Sequence, residues 1–303
     1  MPEISTRQIP TLQIPTLQIP GVYHRKIGDI VVTALSDGYL DGSLEVLRNI
    51  TPEQSAELLR QSFRPVPRRT SVNCFAIHSA GRLALIETGS GNYLGPTAGW
   101  LQRNLQAAGI DPARIEAVFL THMHPDHSAG LTDLATGQRL FPNAELVAHE
   151  DELPHWLDDA AMARGTEREQ QLYFQATREQ TAPYLDRLRT HKGGPVFPGI
   201  TAVPIPGHTP GHTGYLIESG GEQLLIWGDI VHVPEVQVPF PKVTIAFDTD
   251  PDAAAATRVR IFDRVATDRL LIAGMHVHFP GFANLARRGD GYVLVQESWK
   301  QVL

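Results

Sequence analysis

Short apolar runs that end in turn residues occupy the first part of the chain, and their pattern predicts strands. The β-branched run at 29–38 closes with Asp and Gly and predicts one strand. The runs at 71–81 and 82–91 predict two more strands, joined by a turn near Gly81. The chain therefore begins its folded part with β-structure.

The next segment changes from a strand pattern to a helix pattern and back. Leu101 and Leu105 recur at helical spacing, and Gly109 is placed to end the helix. An apolar run at 115–120 then predicts a buried strand, and 144–152 predicts another. The strand at 115–120 delivers a histidine-rich loop at its end.

A long polar stretch at 157–190 predicts helices. Tyr173, Phe174, Tyr184 and Leu188 would supply its apolar face, and the last two are four residues apart, so one side of a helix would carry both. The remaining predicted elements are strands at 200–219 and 222–232, a helix at 253–268, and a last strand at 269–281. This order is typical of a layered α/β fold.

The first 20 residues differ from the rest and predict a separate arm. A repeat, QIPTLQIPTLQIP, runs from 8 to 20, and a proline every fifth residue favours an extended conformation. We expect residues 1–20 to form this arm and 21–303 to form a single domain. The apolar arm would also suit a homodimer.

The composition of the chain narrows the range of expected binding partners. Asp and Glu outnumber Lys and Arg by 33 to 26, a net charge of 26 − 33 = −7, so we expect neither nucleic acid nor an anionic membrane as the main partner. Cys74 is the single cysteine, so no intramolecular disulfide forms. The N-terminal residues lack a signal-peptide pattern, and a cytoplasmic location is the default expectation.

Four potential metal ligands crowd into the loop THMHPDHSAG. His122 and His124 are two apart and point the same way in an extended loop, so they could grip one cation. Asp126 and His127 follow the bend at Pro125 and could face a second cation. Imidazole and carboxylate suit Zn²⁺ most simply, with Fe²⁺, Co²⁺ and Mn²⁺ as alternatives.

Further donors occur at the ends of later predicted strands, where they could complete two metal sites. His208 and His212 lie in PGHTPGHT, Asp229 closes LLIWGD, and His276 and His278 lie in GMHVHFPG. Such strand-end loops are where binding sites on layered α/β folds gather. The sequence thus predicts a dinuclear metal site at one sheet edge.

The order of these motifs resembles that of the metallo-β-lactamase superfamily. The resemblance covers about 21–303 and implies a four-layer αββα sandwich with a dinuclear metal site at one edge. More detailed similarity to methyl parathion hydrolase and the N-acyl homoserine lactone lactonases lies in five sequence segments, GVYHRKIGDIVVTALSDG, THMHPDHSAGL, FPNAELVAH, PGHTPGHT and HFPG. One departure is Glu87 in Glu-Thr-Gly, where many members have Asp, and this affects positioning rather than metal binding.

The resemblance implies a role for each matching residue. His122, His124 and His208 would hold one ion, and Asp126, His127 and His276 the other. Asp229 would bridge both ions, together with a hydroxide. His212 and His278 are then expected beside the ligands rather than among them.

Two metal ions would make hydroxide available near neutral pH and polarise a C=O or P=O group. Asp126 or Asp229 could relay a proton to the leaving group. His232, three residues after Asp229, stands where many of the lactonases have a tyrosine, and it could donate to a substrate carbonyl. Trp156, Phe197, Phe240 and Phe247 could line an apolar pocket.

The sequence therefore predicts a metal-dependent hydrolase of lactones or carboxylic esters, of the quorum-quenching lactonase kind. A phosphotriesterase is the alternative, because the same site often serves both reactions. A β-lactam or thioester hydrolase is a weaker alternative. A non-enzymatic metal-binding protein is disfavoured because all seven predicted ligands are present.

Overall fold

The structure is a computed structural model that describes residues 18–303. The QIPTL repeat lies almost entirely outside these residues, so the arm and its boundary with the domain stay predictions. The described chain builds two seven-stranded sheets, each from one half of the chain.

Sheet one contains seven strands, whose order across the sheet is their order along the chain. They are β1 (Val22–Ile27), β2 (Ile30–Gly42), β3 (Arg68–Ser79), β4 (Arg82–Ile86), β5 (Ala117–Phe119), β6 (Glu145–His149) and β7 (Leu188–His191). The strands from β1 to β4 pair antiparallel, and those from β4 to β7 pair parallel. The strand β5 is buried on both faces, which is why its residues are continuously apolar.

Sheet two follows the same rule. It contains β8 (Gly194–Phe197), β9 (Ile200–Pro204), β10 (Thr213–Ser219), β11 (Glu222–Ile226), β12 (Leu271–Ala273), β13 (Phe282–Arg288) and β14 (Gly291–Gln296). All neighbours pair antiparallel except β11 and β12. Two short ribbons pair Leu47–Arg48 with Thr244–Ile245 and Thr132–Asp133 with Gln138–Arg139.

Helices complete the fold, and several of them cover the outer faces of the sheets. The α-helices are α1 (Pro52–Gln61), α2 (Leu101–Ala107), α3 (Pro125–Ser128), α4 (Glu152–Leu157), α5 (Asp159–Arg164), α6 (Glu167–Glu169), α7 (Ala176–Thr181), α8 (Pro234–Gln237) and α9 (Pro251–Asp268). A π-helical turn, Gln170–Gln175, lies between α6 and α7. The helix α9 is the longest, and it is capped by Asp250, whose side chain accepts from the Ala253 N–H. No helix within residues 18–303 combines the length and the apolar character needed to cross a bilayer.

Three apolar cores separate these layers. The central core joins the facing sides of the two sheets, with Phe75 and Phe119 from sheet one meeting Tyr215 and Phe282 from sheet two. A second core packs α2 and α4 on the outer face of sheet one. A third packs α9 on the outer face of sheet two through residues such as Phe262. The layers are therefore helix, sheet, sheet, helix, as predicted.

Two details of the sequence prediction were wrong. Tyr184 and Leu188 do not share a helix, because the 3₁₀ turn Ala182–Arg187 ends and β7 begins at Leu188. Both side chains still contact the same core, which explains the misleading spacing. The strand β12 is not the last one, because the β13–β14 hairpin follows it.

Candidate metal centre

The histidine-rich loop leaves β5 at the edge of sheet one. Pro125 starts the one-turn helix α3, with His124 at its N-cap, because a proline needs no N–H partner at this position. His122 and His127 are fully buried, and His124 is 5% exposed. The turn at Pro125 brings Asp126 and His127 back beside His122 and His124.

The first donor set contains His122, His124 and His208. His122 Nε2 lies 3.0 Å from His124 Nδ1, His124 Nδ1 lies 3.0 Å from His208 Nε2, and the third edge is 3.2 Å. Ligands of a tetrahedral Zn²⁺ with bonds of about 2.0–2.1 Å are about 3.3 Å apart. These three nitrogens therefore fit one face of such a site.

The second donor set contains Asp126, His127 and His276. Asp126 Oδ2 lies 3.5 Å from His127 Nε2 and 3.3 Å from His276 Nε2. Asp229 Oδ2 lies 3.3 Å from His127 Nε2 and 3.1 Å from His276 Nε2, so four donors surround this second position.

Asp229 also approaches the first set. Its Oδ2 lies 3.5 Å from His208 Nε2 and 3.8 Å from His122 Nε2. The same oxygen is thus a shared vertex of both donor sets, as expected of a bridging ligand. The structure brings together all seven residues that the sequence singled out as ligands.

The electrostatics also fit cations. Burial lowers the pKa of His122 and of His124 well below the usual value, which keeps both imidazoles neutral and able to bind metal. Burial alone would lower the pKa of His127, but Asp229 and Asp126 raise it well above normal. The carboxylates therefore stabilise positive charge at this position.

Buried polar atoms that lack a hydrogen-bond partner concentrate at the same place. Among residues 18–303 they include both ring nitrogens of His127, Nδ1 of His232, and Oδ1 of Asp229. Unpaired buried polar atoms are rare and costly in folded proteins, and a divalent ion bound among them would offset this cost. The donor types, spacing and unpaired atoms all fit a pair of divalent ions.

Both ring nitrogens of His212 form hydrogen bonds with backbone groups instead. Its Nδ1 donates to the Ile205 carbonyl at 3.1 Å, and its Nε2 accepts from the Asp229 N–H at 2.9 Å. The chain approaches the ring at Gly228, where φ is +58° and a Cβ would lie 2.3 Å from His212 Nε2. His212 thus orients Asp229, and Gly228 makes the contact possible.

Glu152 was missed by the sequence analysis. This buried carboxylate accepts from the N–H groups of Met123 and Gly211, both within 3.0 Å, and from the Thr209 hydroxyl and the Trp156 indole. It therefore ties the loop of His122 and His124 to the loop of His208. An acidic residue after a strand carries no distinctive sequence signal.

Asp248 was also missed. Its Oδ1 accepts from His208 Nδ1 at 2.8 Å, and its Oδ2 accepts from the Ile245 N–H at 3.0 Å. This bond fixes the His208 ring with Nε2 facing the first donor set. His278 lies outside both sets and bonds Glu235 at 2.7 Å.

Glu87 stands in the Glu-Thr-Gly turn, where the resemblance implies Asp in many members. Its Oε1 accepts from the Thr121 N–H at 2.9 Å, and its Oε2 lies 3.5 Å from His127 Nδ1. The longer side chain thus still reaches the ligand loop. Asp37, at a bulge in β2, accepts from the N–H groups of Ser90, Gly99 and Leu101 nearby.

Aromatic rings border the centre on one side. Trp156 and Tyr173 lie 5.3 and 4.8 Å from the His124 ring, and Phe247 lies 6.4 Å from His232. The two other aromatic residues considered as a pocket lining lie away from the centre. Phe197 packs on Phe119 between the sheets, and Phe240 is half exposed in a groove of about 1380 Å³ that contains none of the predicted ligands.

Residues 67–276 match the sequence pattern of the metallo-β-lactamase superfamily. The chain belongs to this superfamily. Two solved structures cover nearly the whole fold. The hydrolase AbOPH of the β-lactamase superfamily is 32% identical, with a TM-score of 0.88 over 94% of this chain and 100% of that one. AidC, a dizinc quorum-quenching lactonase in complex with a product, is 25% identical, with a TM-score of 0.87 over 93% and 99%.

Curated relatives match over shorter stretches. The uncharacterized protein YobT of Bacillus subtilis (strain 168) is 28% identical over 54% of this chain and 63% of its own length. Ribonuclease Z of Pyrococcus furiosus is 30% identical over 28% of this chain and 24% of its own length. The chain thus spans less than two thirds of these curated relatives.

Proposed function

We propose that the protein is a hydrolase that uses two divalent ions to open lactones or carboxylic esters. The observation that carries the proposal is the pair of donor sets that share Asp229 Oδ2, with separations close to tetrahedral edges on both sides. When bound, two divalent ions supply an acidic water and polarise a substrate oxygen.

The residues of the centre would have separate roles in metal binding and proton transfer. His122, His124 and His208 would hold one ion, and Asp126, His127 and His276 the other. Among the donors of the second set, Asp126 is the most exposed, at 16%, whereas His127 and His276 are almost fully buried. Its carboxylate is therefore best placed to pass a proton to a leaving oxygen that enters from the open side.

The aromatic border favours a substrate with an apolar part. The rings of Tyr173 and Phe247 lie edge to face with centroids 6.4 Å apart, next to His124 and His232. Such rings bury acyl or aryl groups, and the Tyr173 hydroxyl offers a polar end. The likeness to AidC, which was solved with N-hexanoyl-L-homoserine, supports a lactone with an acyl chain.

A methyl phosphotriester is the second candidate. It is favoured by the sequence motifs shared with methyl parathion hydrolase and by a site that requires no protein nucleophile. The test is to measure metals per chain and to compare kcat/KM for N-hexanoyl homoserine lactone, an aryl ester and a methyl phosphotriester in one buffer. Glu116→Gln, which alters an exposed ion pair with Arg82, is the control variant.

Two ions per chain and a lactone preference of at least about tenfold, or about 1.4 kcal/mol of transition-state free energy, are expected. A phosphotriester preference of the same size would favour the second candidate. Metal-loaded protein that turns over none of the three substrates would contradict the proposal.

A further inference from the structure

His232 lies closer to the donor sets than a substrate contact needs to lie. Its Nε2 is 3.0 Å from Asp229 Oδ2, its ring centroid is 4.8 Å from that of His208, and it stacks on His276 at 5.4 Å. Only 5% of the residue is exposed. It therefore sits within the wall formed by the donors.

The Gln237 side chain holds the main chain at His232 in this position. Gln237 Oε1 accepts from the His232 N–H at 2.7 Å and from the Val233 N–H at 3.1 Å, and Gln237 Nε2 donates to the Val243 carbonyl at 3.2 Å. The ring itself has less support, because its Nδ1 is buried without a hydrogen-bond partner and its Nε2 lies 3.0 Å from Asp229 Oδ2. The unpaired Nδ1 costs free energy, whereas Nε2 and Asp229 Oδ2 are spaced as two ligands of one cation would be.

We propose that His232 is a further ligand of the ion held by His208 and Asp229. One donor atom from each of His208, Asp229 and His232 lies within 4.8 Å of the other two, which is the grouping that a single cation requires. This ion would then have nitrogen from His122, His124, His208 and His232 and oxygen from Asp229. The inference rests on the proposed function only in that ions occupy the site, and it requires no particular substrate.

The extra nitrogen ligand would change which metal ions the site prefers. Zn²⁺ in proteins is usually four-coordinate, so a fifth protein donor favours ions that accept higher coordination, such as Co²⁺ or Fe²⁺. It also leaves fewer open positions on this ion for water or substrate. His232 would thus set metal selectivity, in place of the carbonyl contact that the sequence predicts for it.

The test uses metal binding rather than turnover. The full chain is stripped with a chelator and titrated with Co²⁺ in competition with a chelating dye, and the visible absorption is recorded at each step. His232→Phe keeps an aromatic ring without a ligand atom, and His24→Phe on the exposed part of β1 is the matched control. We expect His232→Phe to lower the affinity for one Co²⁺ ion by at least about tenfold, as the loss of a residue that supports a metal site typically does. The affinity for the other Co²⁺ ion should stay unchanged. The absorption of His232→Phe should intensify, because Co²⁺ of lower coordination number absorbs more strongly.

A second variant guards against misfolding. His232→Ala leaves a cavity for free imidazole, which should restore the wild-type absorption if the ring acts as a ligand. Wild-type Co²⁺ affinity and spectrum in His232→Phe would overturn the proposal, as would a spectrum of His232→Ala that differs from wild type and does not respond to imidazole. Because neither readout uses a substrate, absence of hydrolysis would contradict the proposed function without affecting this result.

Discussion

Replacing Glu152 with glutamine should lower the free energy of unfolding and, at the same time, weaken metal binding by the first donor set. The Glu152 side chain is fully buried, and its two oxygens divide four donors between them. One oxygen accepts from the N–H of Met123 and the indole of Trp156, and the other accepts from the Gly211 N–H and the Thr209 hydroxyl. Glutamine has the same shape but keeps only one of these oxygens.

The cost follows from where the new amide must point. If the new NH₂ group faced Met123 and Trp156, it would oppose two fixed N–H donors. If it faced Thr209 and Gly211 instead, only the hydrogen bond from the Gly211 N–H would be lost, because the Thr209 hydroxyl can rotate and accept. One lost hydrogen bond to a charged group costs about 1.5–3 kcal/mol, and the remaining bonds lose their charge assistance. Burial raises the pKa of Glu152, so glutamine also avoids some desolvation cost. We expect a net loss of about 2–3 kcal/mol in the free energy of unfolding.

Urea unfolding of the metal-free protein measures this loss without interference from bound ions. The matched control is Glu116→Gln, whose carboxylate pairs with Arg82 at an exposed site and should contribute less than about 1 kcal/mol. Chelator competition on the same samples should show weaker binding of one ion in Glu152→Gln alone. A Glu152→Gln protein within about 0.5 kcal/mol of wild type would refute the reasoning, because surface substitutions already fall in that range.

Three other expectations concern the same centre and its surroundings. His124→Ala should lower metal content and kcat/KM for the preferred substrate strongly, whereas His24→Ala should leave both unchanged; retained activity would remove His124 from the site. Asp248→Asn should weaken metal binding about 10- to 100-fold in chelator competition, because His208 loses the carboxylate that orients it; an unchanged affinity would contradict this. Burial raises the pKa of Asp37 from 3.8 to about 6 in the folded state. Folding therefore favours the protonated acid, so its contribution to stability is greatest below pH 4 and is lost as pH rises through about 6. The unfolding free energy of wild type minus that of Asp37→Asn should fall by about 2 kcal/mol from pH 4 to 6.5, which is most of the (6 − 3.8) × 1.36, or about 3 kcal/mol, that the shift represents over a wider pH range. A rise would mean that the three N–H donors to Asp37 outweigh its burial.

The candidate metal donors could be predicted as a cluster because ligand chemistry restricts residue type. Few side chains bind divalent ions, and strand ends in an α/β sandwich meet at one edge, so spacing and order predicted that residues such as His122 and Asp229 would come together, as they do in the structure. Glu152 and Asp248 were not predictable, because a carboxylate that accepts backbone N–H groups is specified by which loops happen to meet. That meeting depends on packing over the whole layer.

The misread elements have a similar origin. Leu188 follows a polar helical stretch at helical spacing from Tyr184, and only the parallel pairing of β7 with β6 makes it a strand residue. The hairpin of β13 and β14 lies at the edge of sheet two, where Arg287, Arg288 and Asp290 interrupt the apolar pattern. Edge strands carry such charges because they limit pairing with other chains, and this weakens their sequence signal.

The division of the two sheets between the two halves of the chain has a consequence for engineering. Only Lys192 and Gly193 connect the last strand of sheet one to the first strand of sheet two. A cut there would leave His122, His124, Asp126 and His127 on one fragment, and His208, Asp229 and His276 on the other. Neither fragment alone could complete either donor set. If the donor sets bind ions as proposed, metal capture would report reassembly of the two fragments, and the protein would serve as a split reporter that is read out by a bound ion rather than by a chromophore.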